Sequence, residues 1–571
     1  MPVQNSREGH LVTRIENQVQ TIKDRFKSQL DMTIMDVPAP DGDGGVAYLY
    51  AEGQLLVRDK YVEEVSRIFF NGQPPKPGKP SEPGHGQPYE PVRRIASGVT
   101  LLTQDPATRT HYRHTVSDTL EIIDHEFGTG IATPDHVFTV APSGPCPATE
   151  PEVVYYDTEP YPSVCLGNSG AGVLVYVADT GLLEATHVDH PWLNGVRRAD
   201  DPDGAVQAWD PAGITLTNTV TDPIPSYAGH GTFVAGVIRC MAPEADVIVS
   251  NAFSVAGSTL ESNLGAELDR ALGLGVDIFH LSITATTRKE LAPIGFYGFL
   301  RRLRQHQGVV CVAAAGNNGN RKPCWPAAFP EMVSVGALGA DWSGRATFSN
   351  FGHWVNVYAP GRDLINAYAT GTYTCQDFPY AGEKRVFYGM AKWSGTSFST
   401  PVVTGLVAAR MSRTGESGKE AAAAMLAQAR ADAIPGVGPV LLPCGPCDEP
   451  PRRPRCHDAG RCGRDAGCGC GGRLPGGGGG AGCLGSARDP LRAGLLDEAL
   501  DGVGHREVEQ QARRGEAGLR ALAQDQVVVA QVQADRDHPE QGGEPVSLPP
   551  GLAAVNPHAH GESTDRCGNR G

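Results

Sequence analysis

The sequence predicts an α/β protein: a mainly parallel sheet covered by helices, preceded by a small α+β module and followed by a disordered tail. The first observation behind this is a series of short apolar runs, "GVLVYVADTG", "ADVIVSNAFS", "GVDIFHLSI", "GVVCVAAAGN" and "MVSVGALG", each ending in polar or glycine residues. Helical patterns separate several of them, among them "TFVAGVIRCM", "TLESNLGAELDRALGLG" and "FYGFLRRLRQHQG". Apolar strands alternating with helices form a parallel sheet buried on both faces, and such sheets bind ligands at the carboxyl ends of their strands. The second observation is a pair of Pro-rich connections ahead of this region, and the third is a break in composition after Pro443.

Length and composition set the frame. At 571 residues and 40% hydrophobic, the chain has room for a full-sized core and for more than one domain. A net charge of -15 and a pI near 5.6 argue against a nucleic-acid partner, which needs a basic face to meet phosphates. The start, "MPVQNSREGHLVTRIENQVQ", is charged throughout and lacks the apolar run of roughly 7 to 15 residues of a secretory signal. No stretch reaches the roughly 18 apolar residues of a transmembrane segment. The expected address is cytoplasmic, or secreted if the true start lies upstream.

Of the 14 cysteines, eight lie beyond residue 443 and six are scattered. Scattered cysteines in a chain with a large core are reduced core residues as a rule, so no disulfide framework is expected, and Cys324 with Cys375 is the pair to test.

Along the chain, residues 1–95 open with a charged, helix-like segment and pass to "VAYLYAEGQLLVRDKYVEEVSRIFF", which reads as strand, turn, strand, helix. "NGQPPKPGKPSEPGHGQP" is too poor in apolar residues to pack and reads as a linker. Residues 96–165 read as a connecting region with strand signals such as "HVFTVAP" and a second Pro-rich link, and 166–430 hold the main domain. Residues 444–571 contain no Ile, Phe, Tyr, Trp, Met or Lys, and without such side chains a segment does not offset its ordering entropy. The missing types are largely those with AT-rich codons, which suggests out-of-frame translation of GC-rich DNA; a zinc knuckle around Cys444 and Cys447 is the alternative.

The candidate chemistry starts in "WSGTSFSTPVVTG", which carries five hydroxyls. Pro401 lacks an N–H, and only a helix's first turn leaves those groups unused, so the helix should begin no earlier than about Ser397. Ser397 then has its backbone N–H at the positive end of the helix dipole, where a developing oxyanion is stabilised; the competing role is an N-cap. A serine nucleophile needs a base. In "GHGTFVAGVI", His230 lies between two glycines just before a helix whose Gly231, Ala235 and Gly236 permit close approach. In "GVLVYVADTGLL", Asp179 follows an apolar strand, which puts its carboxylate at the carboxyl edge of the sheet. Taken singly, the histidine reads as a core or surface residue and the aspartate as a turn or cap.

"VADTG", "GHGTFVAG" and "GTSFSTP", in that order, resemble the Asp, His and Ser signatures of the subtilisin-like serine peptidases, from about Ala171 to Met411. "WPAAFPEMVSVGAL" and "ATFSNFGHWVNVYAPG" also resemble family segments. The resemblance implies a three-layer domain and an endopeptidase with Asp179, His230 and Ser397 as catalytic triad, acting on a peptide or protein substrate. It implies that Asn317, in "VVCVAAAGNNGN", donates its side-chain amide to the oxyanion, with Asn318 as the lesser choice. It also implies that Ser282, Ile283, Thr284 and Gly316 line the substrate site, although "HLSITATT" has Thr284 and Ala285 where the family has glycines. No cofactor is required for this chemistry; structural calcium, carried by many members, maps to no ligand set in the sequence. As in relatives with propeptides, residues 1 to about 150 are expected to chaperone or inhibit the domain until cleaved, with partner binding the alternative. A catalytically silent peptide-binding protein on the same fold is the rival from another class.

Overall fold

The structure is a computed structural model describing residues 4–39, 45–71, 90–140, 148–155, 158–165, 167–183, 189–199, 219–377 and 379–443. The expected linker after Asn71, the tail beyond Pro443 and its cysteines lie outside the described residues. The core is a seven-stranded sheet, in the order Val357–Pro360, Met332–Leu338, Val310–Ala314, Ile278–Leu281, Leu174–Asp179, Asp246–Asn251, Arg197–Arg198. Every pairing in it is parallel. The apolar runs singled out in the sequence supply five of these strands.

Strand side chains alternate between two apolar layers, as the period of two requires. Val175, Val177, Val310 and Val312 enter one layer, beneath the helices His230–Met241 and Thr396–Thr414. Tyr176, Ala178, Cys311 and Ala313 enter the other, beneath Glu261–Ala271 and Tyr297–Gln305. The first helix pair meets at Gly405, where a Cβ would stand 2.5 Å from the Cβ of Met241 and 2.7 Å from the Ile238 carbonyl oxygen. The expected layers of sheet and helices are therefore present.

One polar residue breaks the apolar lining of the central strand. His280 lies on the face towards Thr396–Thr414, with no exposed surface, and its Nδ1 is 2.9 Å from Thr404 Oγ1. Burial, with the neighbouring His230 adding a smaller effect, pushes its pKa down to about 3.

The N-terminal module does not end near residue 95. Its sheet runs Ser258–Leu260, Ala132–Thr139, Val46–Arg58, Val99–Thr103, Val92–Ala96, with Ile34–Pro38 also on Val46–Arg58, and every pairing is antiparallel. Two strands assigned to a connecting region thus belong to the module, since strand pairing is non-local and leaves no mark in either strand alone. The two strands and turn expected at the start of "VAYLYAEGQLLVRDKYVEEVSRIFF" are one bulged strand instead: Val46–Arg58 has 13 residues and a register shift between Tyr50 and Leu55. Gly53 sits there at φ 72°, and a Cβ on it would meet Arg109 Nε at 2.8 Å. Helices Val62–Phe69 and Val116–Glu126 cover the module's own apolar cluster, which includes Leu55, Val57, Val65, Phe69, Leu102, Leu120 and Ile123.

The remaining sheet was not legible in the sequence. Long antiparallel strands Leu364–Thr374 and Lys384–Trp393 form a hairpin flanked by Glu152–Val153 and Pro223–Ile224. No helix among the described residues is long and apolar enough to cross a membrane.

Two outcomes are expected. Gly405→Ala overpacks the helix crossing and lowers stability by about 1–3 kcal/mol, read as a reduced Tm in thermal denaturation. His280 is neutral when folded but binds a proton when unfolded below about pH 6.5, so the stability tied to it is complete above that pH. It is lost as pH falls towards about 3, by about 1.4 kcal/mol per pH unit. The Tm of His280→Gln should therefore fall less steeply than wild type between pH 6.5 and 4.

Candidate functional site

Asp179 ends its strand at the carboxyl edge of the sheet and has no exposed surface. Its Oδ1 accepts the Thr180 N–H at 2.7 Å and lies 2.8 Å from His230 Nδ1. A carboxylate oxygen offers only acceptor capacity, so Nδ1 carries a hydrogen, and in the neutral imidazole Nε2 is the nitrogen that keeps a lone pair. That Nε2 is buried and makes no hydrogen bond among the described residues.

His230 opens its helix directly after Gly229, whose φ of 76° is a left-handed conformation that favours glycine. The helix can reach the aspartate loop only because the next residue is Gly231. A Cβ there would stand 2.4 Å from the Gly181 carbonyl oxygen and 3.2 Å from Asp179 Oδ1. Further along, a Cβ on Gly236 would lie 2.0 Å from Asn366 Oδ1. The Gly231 N–H donates to Thr180 Oγ1 and the Leu183 N–H to Thr232 Oγ1, which fastens loop to helix on both sides. Trp393 and Phe398 pack on the imidazole, with ring centroids 5.8 and 5.3 Å away.

Phe398 follows Ser397, so the helix that carries the serine packs against His230 across a sequence distance of 167 residues. The serine's helix begins at Thr396, one residue earlier than expected, and Pro401 lies inside it. The reason is local: Pro401 has no N–H for the Ser397 carbonyl, and Ser282 Oγ donates to that oxygen instead, at 2.8 Å. The other hydroxyls have separate duties. Ser394 holds the Asp363 N–H, while Ser399 and Thr400 donate to the Thr396 carbonyl.

Thr396 is the positioning residue the sequence did not reveal. Its N–H and Oγ1 both reach Asn317 Oδ1, at 2.8 and 3.0 Å, and its Oγ1 accepts the Gly316 N–H at 3.0 Å. With Oδ1 fixed, the Nδ2 end of the buried Asn317 amide is turned to the other side. Asn318, by contrast, is only half-buried and places its N–H on Asn350 Oδ1. Gly316, at φ 93°, leaves no space for a side chain, since a Cβ would meet Asn350 Nδ2 at 2.7 Å.

The expected substrate-lining residues divide. Ser282 faces the helix of Ser397, whereas Ile283 is buried in an apolar cluster. Thr284 pairs through its backbone with Thr139 of the N-terminal module, by reciprocal hydrogen bonds of 3.1 and 3.0 Å. Cys324 and Cys375 are not joined, and all five described cysteines are thiols. Among the described residues no cluster of three or more His, Cys, Asp or Glu is arranged to hold a metal ion.

The site has relatives. The thermophilic serine proteinase of Bacillus sp. (strain AK1) is 31% identical over 288 residues, 48% of this chain and 60% of that protein. Thermitase of Thermoactinomyces vulgaris is 28% identical over 282 residues, 47% of this chain and 84% of that protein. The crystal structure of fervidolysin from Fervidobacterium pennivorans is similar at 18% identity and a TM-score of 0.44, covering 69% of this chain and 60% of that one. The chain therefore spans less than two thirds of the length of the first relative and most of the second. The sequence model of the subtilase family matches residues 170–458, which include Asp179, His230, Asn317 and Ser397. The chain belongs to the subtilase family.

Proposed function

We propose that the chain is a serine endopeptidase with Asp179, His230 and Ser397 as its triad. The observation that carries this is the buried Asp179–His230 hydrogen bond, with a lone pair left on Nε2 beside the first turn of the serine's helix. Ser397 Oγ attacks the peptide carbonyl carbon while its proton passes to His230 Nε2. The imidazolium, stabilised by Asp179, returns that proton to the leaving amine as the C–N bond breaks. Water then repeats the sequence on the acyl-enzyme and frees Ser397. The oxyanion is held by the Ser397 N–H and the Asn317 amide, whose orientation Thr396 sets.

A second reading concerns the N-terminal module, and the Thr139–Thr284 pairing favours it. Thr284 lies two residues after Ser282, on an edge that an extended substrate would use, and the module's strand takes its backbone groups. The contact is reinforced by Ser258–Leu260 in the module's sheet and by Asp135, which accepts the N–H and Oγ–H of Ser262. Arg288, itself buried, pairs with Asp124 and Glu121 of the module. The module thus holds the edge closed to substrate until it is removed.

Fluorophosphonate labelling of the wild type that disappears in Ser397→Ala is expected; a folded wild type that stays unlabelled would leave the silent peptide-binding alternative. Asn317→Ala should lower kcat by about 10²–10³ with little change in KM in steady-state assays of peptide hydrolysis. Turnover should rise as intact mass spectrometry records loss of the N-terminal module, and full activity of the untrimmed chain would argue against inhibition.

A further inference from the structure

We infer that His280 is a positioning residue for the nucleophile, acting through Ser282 on the carbonyl of Ser397. The inference rests on the proposed serine chemistry and adds to it a residue that neither the triad nor the oxyanion site includes.

The need arises from Pro401. In an α-helix the N–H of residue 401 would bond the carbonyl of residue 397, and proline has none. A carbonyl left unpaired in a buried site is costly, and this one belongs to the nucleophile itself. Ser282 Oγ fills the position at 2.8 Å. A serine hydroxyl has one hydrogen, so with it committed to Ser397 the remaining contact, 2.8 Å to His280 Nε2, requires the imidazole to donate. His280 must therefore carry its hydrogen on Nε2. Its Nδ1 is then an acceptor and faces Thr404 Oγ1 at 2.9 Å, on the turn of the same helix after Pro401. All four side chains are buried, with at most 1% of their surface exposed.

The hydrogens close into a relay when the Thr404 hydroxyl donates to His280 Nδ1, the Thr400 carbonyl keeping the backbone N–H of Thr404 within the helix. The Thr404 hydroxyl, which also lies 3.0 Å from the Thr400 carbonyl, selects the tautomer; the tautomer orients the Ser282 hydroxyl; and that hydroxyl fixes the peptide unit that follows Ser397. The opposite tautomer would turn the Ser282 hydrogen onto His280 and away from the Ser397 carbonyl. An apolar residue at 280 would satisfy the core but leave the hydroxyl unoriented. Reaction at a serine tolerates little displacement, so looseness here appears in kcat before it appears in substrate binding.

The test compares His280→Leu, His280→Gln, Ser282→Ala and the His280→Leu/Ser282→Ala double variant in the full chain. Fluorophosphonate titration normalises rates to folded, reactive sites, and Tm is measured for each variant. Glutamine places an N–H donor near the position of Nε2. Expected are a kcat reduced by about tenfold with unchanged KM in His280→Leu, and recovery to within about threefold in His280→Gln. The double variant should be no slower than Ser282→Ala, because both changes remove the same bond. A wild-type kcat in His280→Leu, an equal loss in His280→Gln, or additive effects in the double variant would each overturn the inference. If His280→Leu does not fold, His280→Gln and Ser282→Ala decide it: a glutamine variant as slow as the alanine variant overturns it. A wild type that resists the probe overturns the serine reading and this inference together, whereas a labelled wild type with any of the results above removes this inference alone.

Discussion

A carboxylate with no exposed surface is a demanding group to place, and the catalytic half of the molecule is arranged around Asp179. Removing a charge from water costs several kcal/mol unless hydrogen bonds replace the lost hydration. Here the replacements, both on Oδ1, are the Thr180 N–H and His230 Nδ1, while Oδ2 has no hydrogen-bond partner among the described residues. The second demands that a helix begin within reach of a strand end, which in turn demands Gly231, because any side chain there would strike the Gly181 carbonyl. That helix packs on the serine's helix at Gly405, so the position of His230 constrains that of Ser397 through backbone contact. The geometry of the site thus resides in glycines as much as in Asp179, His230 and Ser397.

A second constraint comes from a missing hydrogen. Pro401 interrupts the bonding of the helix at the residue before which it matters most, and the fold answers from across the sheet, through Ser282 on the turn after strand Ile278–Leu281. The serine is consequently anchored on two sides: Asn317 binds the residue before it, and Ser282 binds its own carbonyl. Both anchors come from segments at the carboxyl ends of neighbouring parallel strands, where a parallel sheet gathers loops from distant parts of the chain.

The sequence made the parallel sheet legible because its strands are buried on both faces and read as apolar runs. It made the triad candidates legible through "VADTG", "GHGTFVAG" and "GTSFSTP", whose order resembles the signatures of the family. It did not disclose the hairpin Leu364–Trp393, whose strands mix polar and apolar residues and gain their meaning from antiparallel partners. The boundary set at residue 95 failed for the same reason: Leu101 and Leu102 carry no local sign that they pair with Leu56 and Leu55. Gly53 looked like a turn because a turn and a bulge use the same left-handed conformation. His280 left one sign, a histidine inside an otherwise apolar strand, but its role depends on Thr404 and Ser282, which only the folded chain brings to it.

The pairing of Thr139 with Thr284 carries a consequence for competition. A segment joined covalently to the surface it covers is present there at an effective concentration of about a millimolar, whatever the concentration of the protein. Dilution leaves that occupancy unchanged, and a free peptide offering only the same backbone contacts is outnumbered by the tether. Access to the edge therefore depends on chain connectivity more than on affinity, and breaking one peptide bond changes the occupancy of the edge from a constant into a quantity that falls with dilution.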